Sequence, residues 1–175
     1  MWQGVVSVIA ILALLGTSSA AQQPTATGVR TVTPAGAIKP TGTWGVAMRA
    51  GDFLFIAGMR GIDPTSNELV AGDEARVRQA FLNMKCIAES EGVSLHDAAR
   101  LVVYVTDMFR FRPIVNKVQA ELWGDGPYPP RTIVEVQRLN QDDIAEVEGT
   151  FYALKDRSAG EPADPISSRT HDGEN

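Results

Sequence analysis

The sequence predicts a mixed α+β domain, one sheet with two helices packed on a single face. Three observations predict it. Short apolar runs rich in β-branched and aromatic residues recur along the middle of the chain. Two longer segments between them carry apolar residues at helical spacing. The resulting order, β-β-α-β-α-β-β, calls for right-handed crossovers that put both helices on one side of a mixed sheet.

The elements follow in order. Trp44 to Met48 and Asp52 to Gly58 (DFLFIAG) read as two strands joined by a tight turn at Ala50-Gly51-Asp52. Asp73 to Glu91 is the clearest helix. Val77, Ala80, Phe81, Met84, Ile87 and Ala88 form its apolar stripe, with Asp73 as the expected N-cap and Gly92 placed to end it. Leu101 to Val105 (LVVYV) reads as a strand buried on both faces. A second helix is expected over Pro113 to Leu122, with Pro113 in its first turn and Ile114, Val115, Val118 and Leu122 facing inward. Thr132 to Val136 and Ile144 to Ala153 read as strands joined through Leu139-Asn140-Gln141-Asp142, and are expected to pair as an antiparallel hairpin. Two helices on one face leave the other face bare, and oligomerisation is the expected cover.

The flanks differ in composition. Val5 to Leu15 is an apolar run too short to span a bilayer, and Gly16 to Ala21 are small residues. This is the layout of a signal peptide over residues 1–21, which implies a secreted or periplasmic protein with no membrane attachment after cleavage; the alternative reading of the same run is an uncleaved membrane anchor. Residues 22–40, rich in Thr, Pro, Ala and Gly, read as a linker with room for a short strand at Val29 to Val32. Residues 41–154 form the domain. Residues 155–175 have almost nothing to bury and are expected to be a disordered tail.

Composition narrows the function. The chain of 175 residues suits one domain, and its formal net charge is −5. Nucleic-acid binding draws on clustered Lys and Arg, so an acidic domain without a basic run is not expected to bind it. Cys86 is the single cysteine, so no intramolecular disulfide can form. His96 and His171 lack Cys or His neighbours at ligand spacing, so no metal site is expected.

The residues that could carry chemistry lie near the end of the domain. Arg131 follows Tyr128-Pro129-Pro130, and two prolines stiffen the backbone from which its side chain leaves. A fixed guanidinium can hold a carboxylate through two parallel hydrogen bonds. In the expected hairpin Arg131 lies opposite about Glu148, and Ile133 opposite about Glu146. Period two puts Glu146, Glu148 and Thr150 on one face of the last strand, and Ala145, Val147, Gly149 and Phe151 on the other. One arginine and two glutamates converging there could bind an acid and position water. From spacing alone the commoner reading of such a trio is a cross-strand ion pair on a solvated face, since surface ion pairs far outnumber active sites. Asn116 stands beside the apolar face of the second helix, where it could line a cleft or cap a backbone group. Cys86 and Trp44 read as packing residues, and His96 as a solvated loop residue.

GDFLFIAG, DPTSNELV, the run ARVRQAFLNMKCIAESEGVSLHDAARLVVYVTDM, the Asn116 helix and PPRTIVEVQRLNQDDIAEVEGTF resemble the reactive intermediate deaminase (Rid, YjgF-like) family over roughly Trp44 to Tyr152. The resemblance implies a chorismate-mutase-like fold and a homotrimer with a ligand cleft at each subunit interface. It implies hydrolysis of a small imine or enamine carboxylic acid to a 2-oxo acid and ammonia, as in a 2-iminobutanoate/2-iminopropanoate deaminase, with no cofactor. By position, Arg131 matches the arginine that grips the substrate carboxylate, Glu146 the glutamate that positions water, and Asn116 a cleft asparagine. Trp44 falls where many members have a tyrosine. Gly58 lies in a loop that usually reads Ser-Gly-Gln, with Ala57 in place of the serine and Met59 in place of the glutamine. Ile133 replaces a frequent cysteine. The implied cleft is more apolar and suits a larger or less polar substrate. Competing readings are a non-catalytic binder of small carboxylic acids in the same cleft, a ribonuclease and a holdase.

Overall fold

The computed structural model describes residues 28–154. The signal-peptide and tail segments expected from the sequence lie outside the described residues, as does the start of the expected linker. The domain is a single six-stranded mixed sheet with two helices, as expected.

The strands are β1 (Val29–Val32), β2 (Ala47–Ala50), β3 (Phe53–Arg60), β4 (Ala98–Val105), β5 (Arg131–Glu135) and β6 (Ala145–Tyr152), in the sheet order β1-β2-β3-β6-β4-β5. Neighbours are antiparallel except β4 and β5, which are parallel. The helices are α1 (Asp73–Ser90) and α2 (Met108–Trp123).

The β2–β3 hairpin turns at Gly51, whose φ of +57° suits a residue without a Cβ. α1 buries the expected stripe, from Val77 to Ala88, against β3 and β6. Its N-cap is Gly72, not Asp73. Asp73 and Glu74 instead occupy the first turn, where negative charge complements the exposed N–H groups. α2 begins five residues before its expected start. Asp107 caps it through Oδ1, which accepts from the Arg110 N–H at 2.9 Å, and Glu135 Oε2 accepts from the Met108 N–H at 2.7 Å. Pro113 therefore sits inside the helix. The carbonyl it would have bonded belongs to Phe109, a residue 94% exposed, so that turn faces solvent and tolerates the loss. Phe81 of α1 meets Trp123 of α2 edge to face, with ring centroids 5.9 Å apart.

Three expectations need correction. In residues 28–40 the expected short strand is present as β1, paired with β2, but Ile38 is 2% exposed in the core, so the segment beyond the strand is not a linker. That segment shows no period because it buries so few side chains. The first strand of the hairpin starts at Ala47, so Trp44 lies in the preceding loop. The last two strands do not form a hairpin. β4 lies between them, parallel to β5 and antiparallel to β6. The β4–β5 pair is joined by a crossover through α2, as parallel pairing requires.

The alternation expected along β6 holds: Ala145, Val147, Gly149 and Phe151 are buried beneath the helices. The opposite sheet face is bare. Met48, Phe53, Phe55 and Tyr152 are each more than 40% exposed there, with Phe53 and Tyr152 ring centroids 5.6 Å apart.

Candidate active site

The two principal candidates do not meet within one chain. Arg131 pairs in register with Leu101, whose side chain is fully buried on the helix side. Glu146 belongs to the alternate set of β6, on the bare side. They therefore leave opposite faces of the sheet, with β4 between their strands. The expected convergence of Arg131 with Glu146 and Glu148 is overturned, because it depended on the hairpin.

Arg131 faces α2. Its Nη1 donates to Gln119 Oε1 at 2.5 Å and its Nη2 to Asn116 Oδ1 at 2.7 Å. These acceptors are neutral, so the positive charge is oriented without being neutralised. The side chain opens into a cavity of about 350 Å³ lined by Asn116, Gln119, Ala120, Tyr128 and Pro129. Tyr128 is fixed by donating its hydroxyl hydrogen to the Gly124 carbonyl at 2.8 Å. Burial pulls the guanidinium below its ordinary pKa, and the nearby charge of Arg112 adds to this. Ile133, two residues along the same face, is partly buried against the core.

Glu146 lies in a second cavity, of about 290 Å³, with Ile38, Thr41, Trp44, Ala57, Gly58, Arg60 and Asn140. Its position depends on an irregularity in β3. Ile56 pairs with Gly149 and Met59 with Val147, so Ala57 and Gly58 together oppose Glu148. Such a bulge bends the strand and re-aims its side chains. The carboxyl of Glu146 rests directly over Gly58. Arg60, only 6% exposed, has Nε 3.9 Å from Glu146 Oε2. Burial raises the Glu146 pKa. Arg60 opposes the rise, and Glu148 and Asp143 add to it.

The structure thus gathers Trp44, Ala57, Gly58 and Glu146 in one pocket and Asn116 and Arg131 in another. Arg60, Gln119 and Asp143 escaped the sequence reading. Gln119 is a polar residue adjoining the apolar stripe of α2, and Arg60 a charge at the end of the strand run FLFIAGMR; both signals were present. Cys86 is partly buried and His96 exposed. Among the described residues, no group of three or more His, Cys, Asp or Glu could hold a metal ion.

The fold and the two pockets place the chain in the class of small α+β domains, with an arginine pocket and a carboxylate pocket on opposite faces of its one sheet. Residues 35–153 match the family described as Endoribonuclease L-PSP. The chain belongs to this family, the YjgF/Rid family whose motifs the sequence resembles. A RutC family protein of Pyrococcus horikoshii is 44% identical over 115 residues, 65% of this chain and 90% of the relative. A protein of Dermatophagoides farinae named 2-iminobutanoate/2-iminopropanoate deaminase is 31% identical over 113 residues, 63% of this chain and 85% of the relative. Among solved structures, a probable translation initiation inhibitor from Rhodopseudomonas palustris superposes with a TM-score of 0.70 at 53% identity, covering 71% of this chain and 98% of that one.

Proposed function

We propose that the protein hydrolyses a small imine or enamine carboxylic acid to a 2-oxo acid and ammonia, in a cleft where the Arg131 pocket of one subunit meets the Glu146 pocket of the next. The observation that carries this reading is the separation of Arg131 and Glu146 onto opposite faces of one chain. Each pocket alone holds half of a hydrolytic site. Closing a trimer through the bare face would cover Met48, Phe53, Phe55 and Tyr152 and bring different copies together. The likeness to a protein named as an imine deaminase supports the same reaction.

The chemistry follows from the two side chains. A guanidinium has five N–H donors, and Gln119 and Asn116 occupy two atoms without exhausting them. The remaining donors would take the substrate carboxylate. Ionised Glu146 holds a water and accepts its proton as the oxygen attacks the imine carbon. Glu146 returns that proton to nitrogen to give the tetrahedral carbinolamine; as this collapses, the hydroxyl proton passes through Glu146 to the amine, the C–N bond breaks, the carbonyl forms and ammonia leaves. Positioning and charge supply the rate gain, so the reaction consumes only water. With the export signal expected at residues 1–21, the reaction would run outside the cytoplasm.

An amino-acid oxidase generating imines beside a trapping amine tests this directly. The protein should shorten the imine lifetime, and Arg131→Ala should abolish the effect. Acceleration that survives Arg131→Ala would overturn the reading. Thermal stabilisation by 2-oxo acids that needs Arg131, with imine lifetimes unchanged, would mark a carboxylate binder instead.

A further inference from the structure

Arg60 is the register partner of Glu146 across β3 and β6, placed there by the bulge at Ala57 and Gly58. Its guanidinium is pinned from the far side. Nη1 donates to the Asn140 carbonyl at 2.7 Å and Nη2 to Gln141 Oε1 at 3.0 Å. The loop that supplies these acceptors holds two consecutive non-glycine residues in the left-handed region, Gln141 at φ 58° and Asp142 at φ 53°. Such conformations persist where surrounding contacts over-determine them. Behind the guanidinium lies Asp143, 1% exposed, its carboxylate 4.0 Å from Arg60 Nη1 and 3.8 Å from Arg76 Nε. Its Oδ2 is buried without a hydrogen-bond partner.

We propose that Arg60 is the positioning residue of Glu146: held by the 140–143 loop, it keeps that carboxylate charged while leaving its oxygens open to water. The proposal rests on Glu146 being the base of the reaction above. The distance is the decisive feature. At 3.9 Å the two charges attract, yet the separation exceeds a hydrogen bond, so Arg60 does not consume the acceptor sites a water needs. The groups facing Glu146 are Arg60 from β3, Glu148 on its own strand, Asp143 before β6, and Tyr104, its register partner on β4. Arg60 is the cation of this set. Asp143, shared with Arg76, draws part of the arginine charge away from the pocket. Glu146 is thereby kept ionised enough to accept a proton without being quenched by a tight ion pair.

The test uses the full chain with Arg60→Met and Arg60→Lys. The Glu146 carboxyl is titrated by carbon NMR, and imine hydrolysis is measured against pH. Arg60→Met should move the Glu146 titration up by about one pH unit, and the acid limb of kcat/KM with it. At a pH below that limb the rate should fall about tenfold, whereas the high-pH plateau changes little. Arg60→Lys should restore most of the shift. Should Arg60→Met fail to fold because Asp143 loses that ion-pair partner, Arg60→Met/Asp143→Asn removes both charges and carries the same expected sign. A Glu146 titration that does not move, or a lost plateau with an unmoved limb, would overturn the proposal. If the unaltered protein leaves imine lifetimes unchanged, the deaminase reading fails while the titration still decides the role of Arg60.

Discussion

A Cβ built on Gly58 would stand 2.0 Å from Glu146 Oε1 and 2.4 Å from its carboxyl carbon. The glutamate can lie where it does because position 58 has no side chain. Gly58→Ala should push the carboxylate aside while leaving the fold intact, since the obstructing atoms are the end of a flexible chain. A displacement of about 1 Å in a catalytic group can cost on the order of a hundredfold in rate. Imine hydrolysis should fall by roughly that factor, with KM nearly unchanged, as steady-state kinetics on the variant would show.

Arg131 is a fork, and two neutral acceptors hold it in orientation. Each charge-assisted hydrogen bond to a carboxylate contributes about 1.5–3 kcal/mol when shielded from water. Arg131→Lys keeps the charge but loses the planar pair of donors and the contacts to Gln119 and Asn116. It should lose at least one such bond, or roughly ten- to a hundredfold in kcat/KM. Kinetics with the lysine variant check this; a lysine enzyme at full activity would contradict the fork.

Glu146 and Asp143 are both held above their ordinary pKa values by burial. Each binds its proton more tightly folded than unfolded. Their ionised forms therefore oppose folding at high pH. Their contribution to stability should rise as pH falls through the raised folded values and level off below the unfolded values at about pH 4, a share that only a variant compared with its parent isolates. Glu146→Gln removes one share of this cost. The variant should be inactive yet melt above the parent protein at about pH 8, with the gap narrowing towards about pH 4. Thermal melts across that range decide it.

Subunit mixing tests the divided site. Arg131→Ala and Glu146→Gln should each be inactive alone. If a site takes its arginine from one subunit and its glutamate from the next, co-refolding equal amounts should restore about a quarter of the sites. If both residues came from one chain, no site would be restored. Phe55→Glu, on the bare face, should dissociate the assembly and abolish hydrolysis with both residues in place, as sedimentation and activity together would show.

Much of the architecture was legible. The stripe from Val77 to Ala88 and the alternation from Ala145 to Phe151 are local periodicities, and both faces were read correctly. The start of α2 was misread because Pro113 is a common first-turn residue, whereas the true cap, Asp107, lies six residues before it. Arg131, Glu146, Asn116, Trp44, Ala57 and Gly58, all singled out from the sequence, line one or other of the two pockets, whereas Ile133 lines neither. The seat of Glu146 over Gly58 was not legible, because it depends on a bulge that only the pairing of β3 with β6 reveals.

The sequence by itself determined where most helices and strands lie, which side chains of α1 and β6 turn inward, and the family to which the chain belongs. Those properties follow from spacing within a dozen residues or from short motifs. Only the tertiary structure decided that β4 enters between β5 and β6. Strand partners are chosen by burial and hydrogen bonding between residues far apart in the chain, and no local pattern encodes that choice. That one insertion sends Arg131 and Glu146 to opposite faces of the sheet.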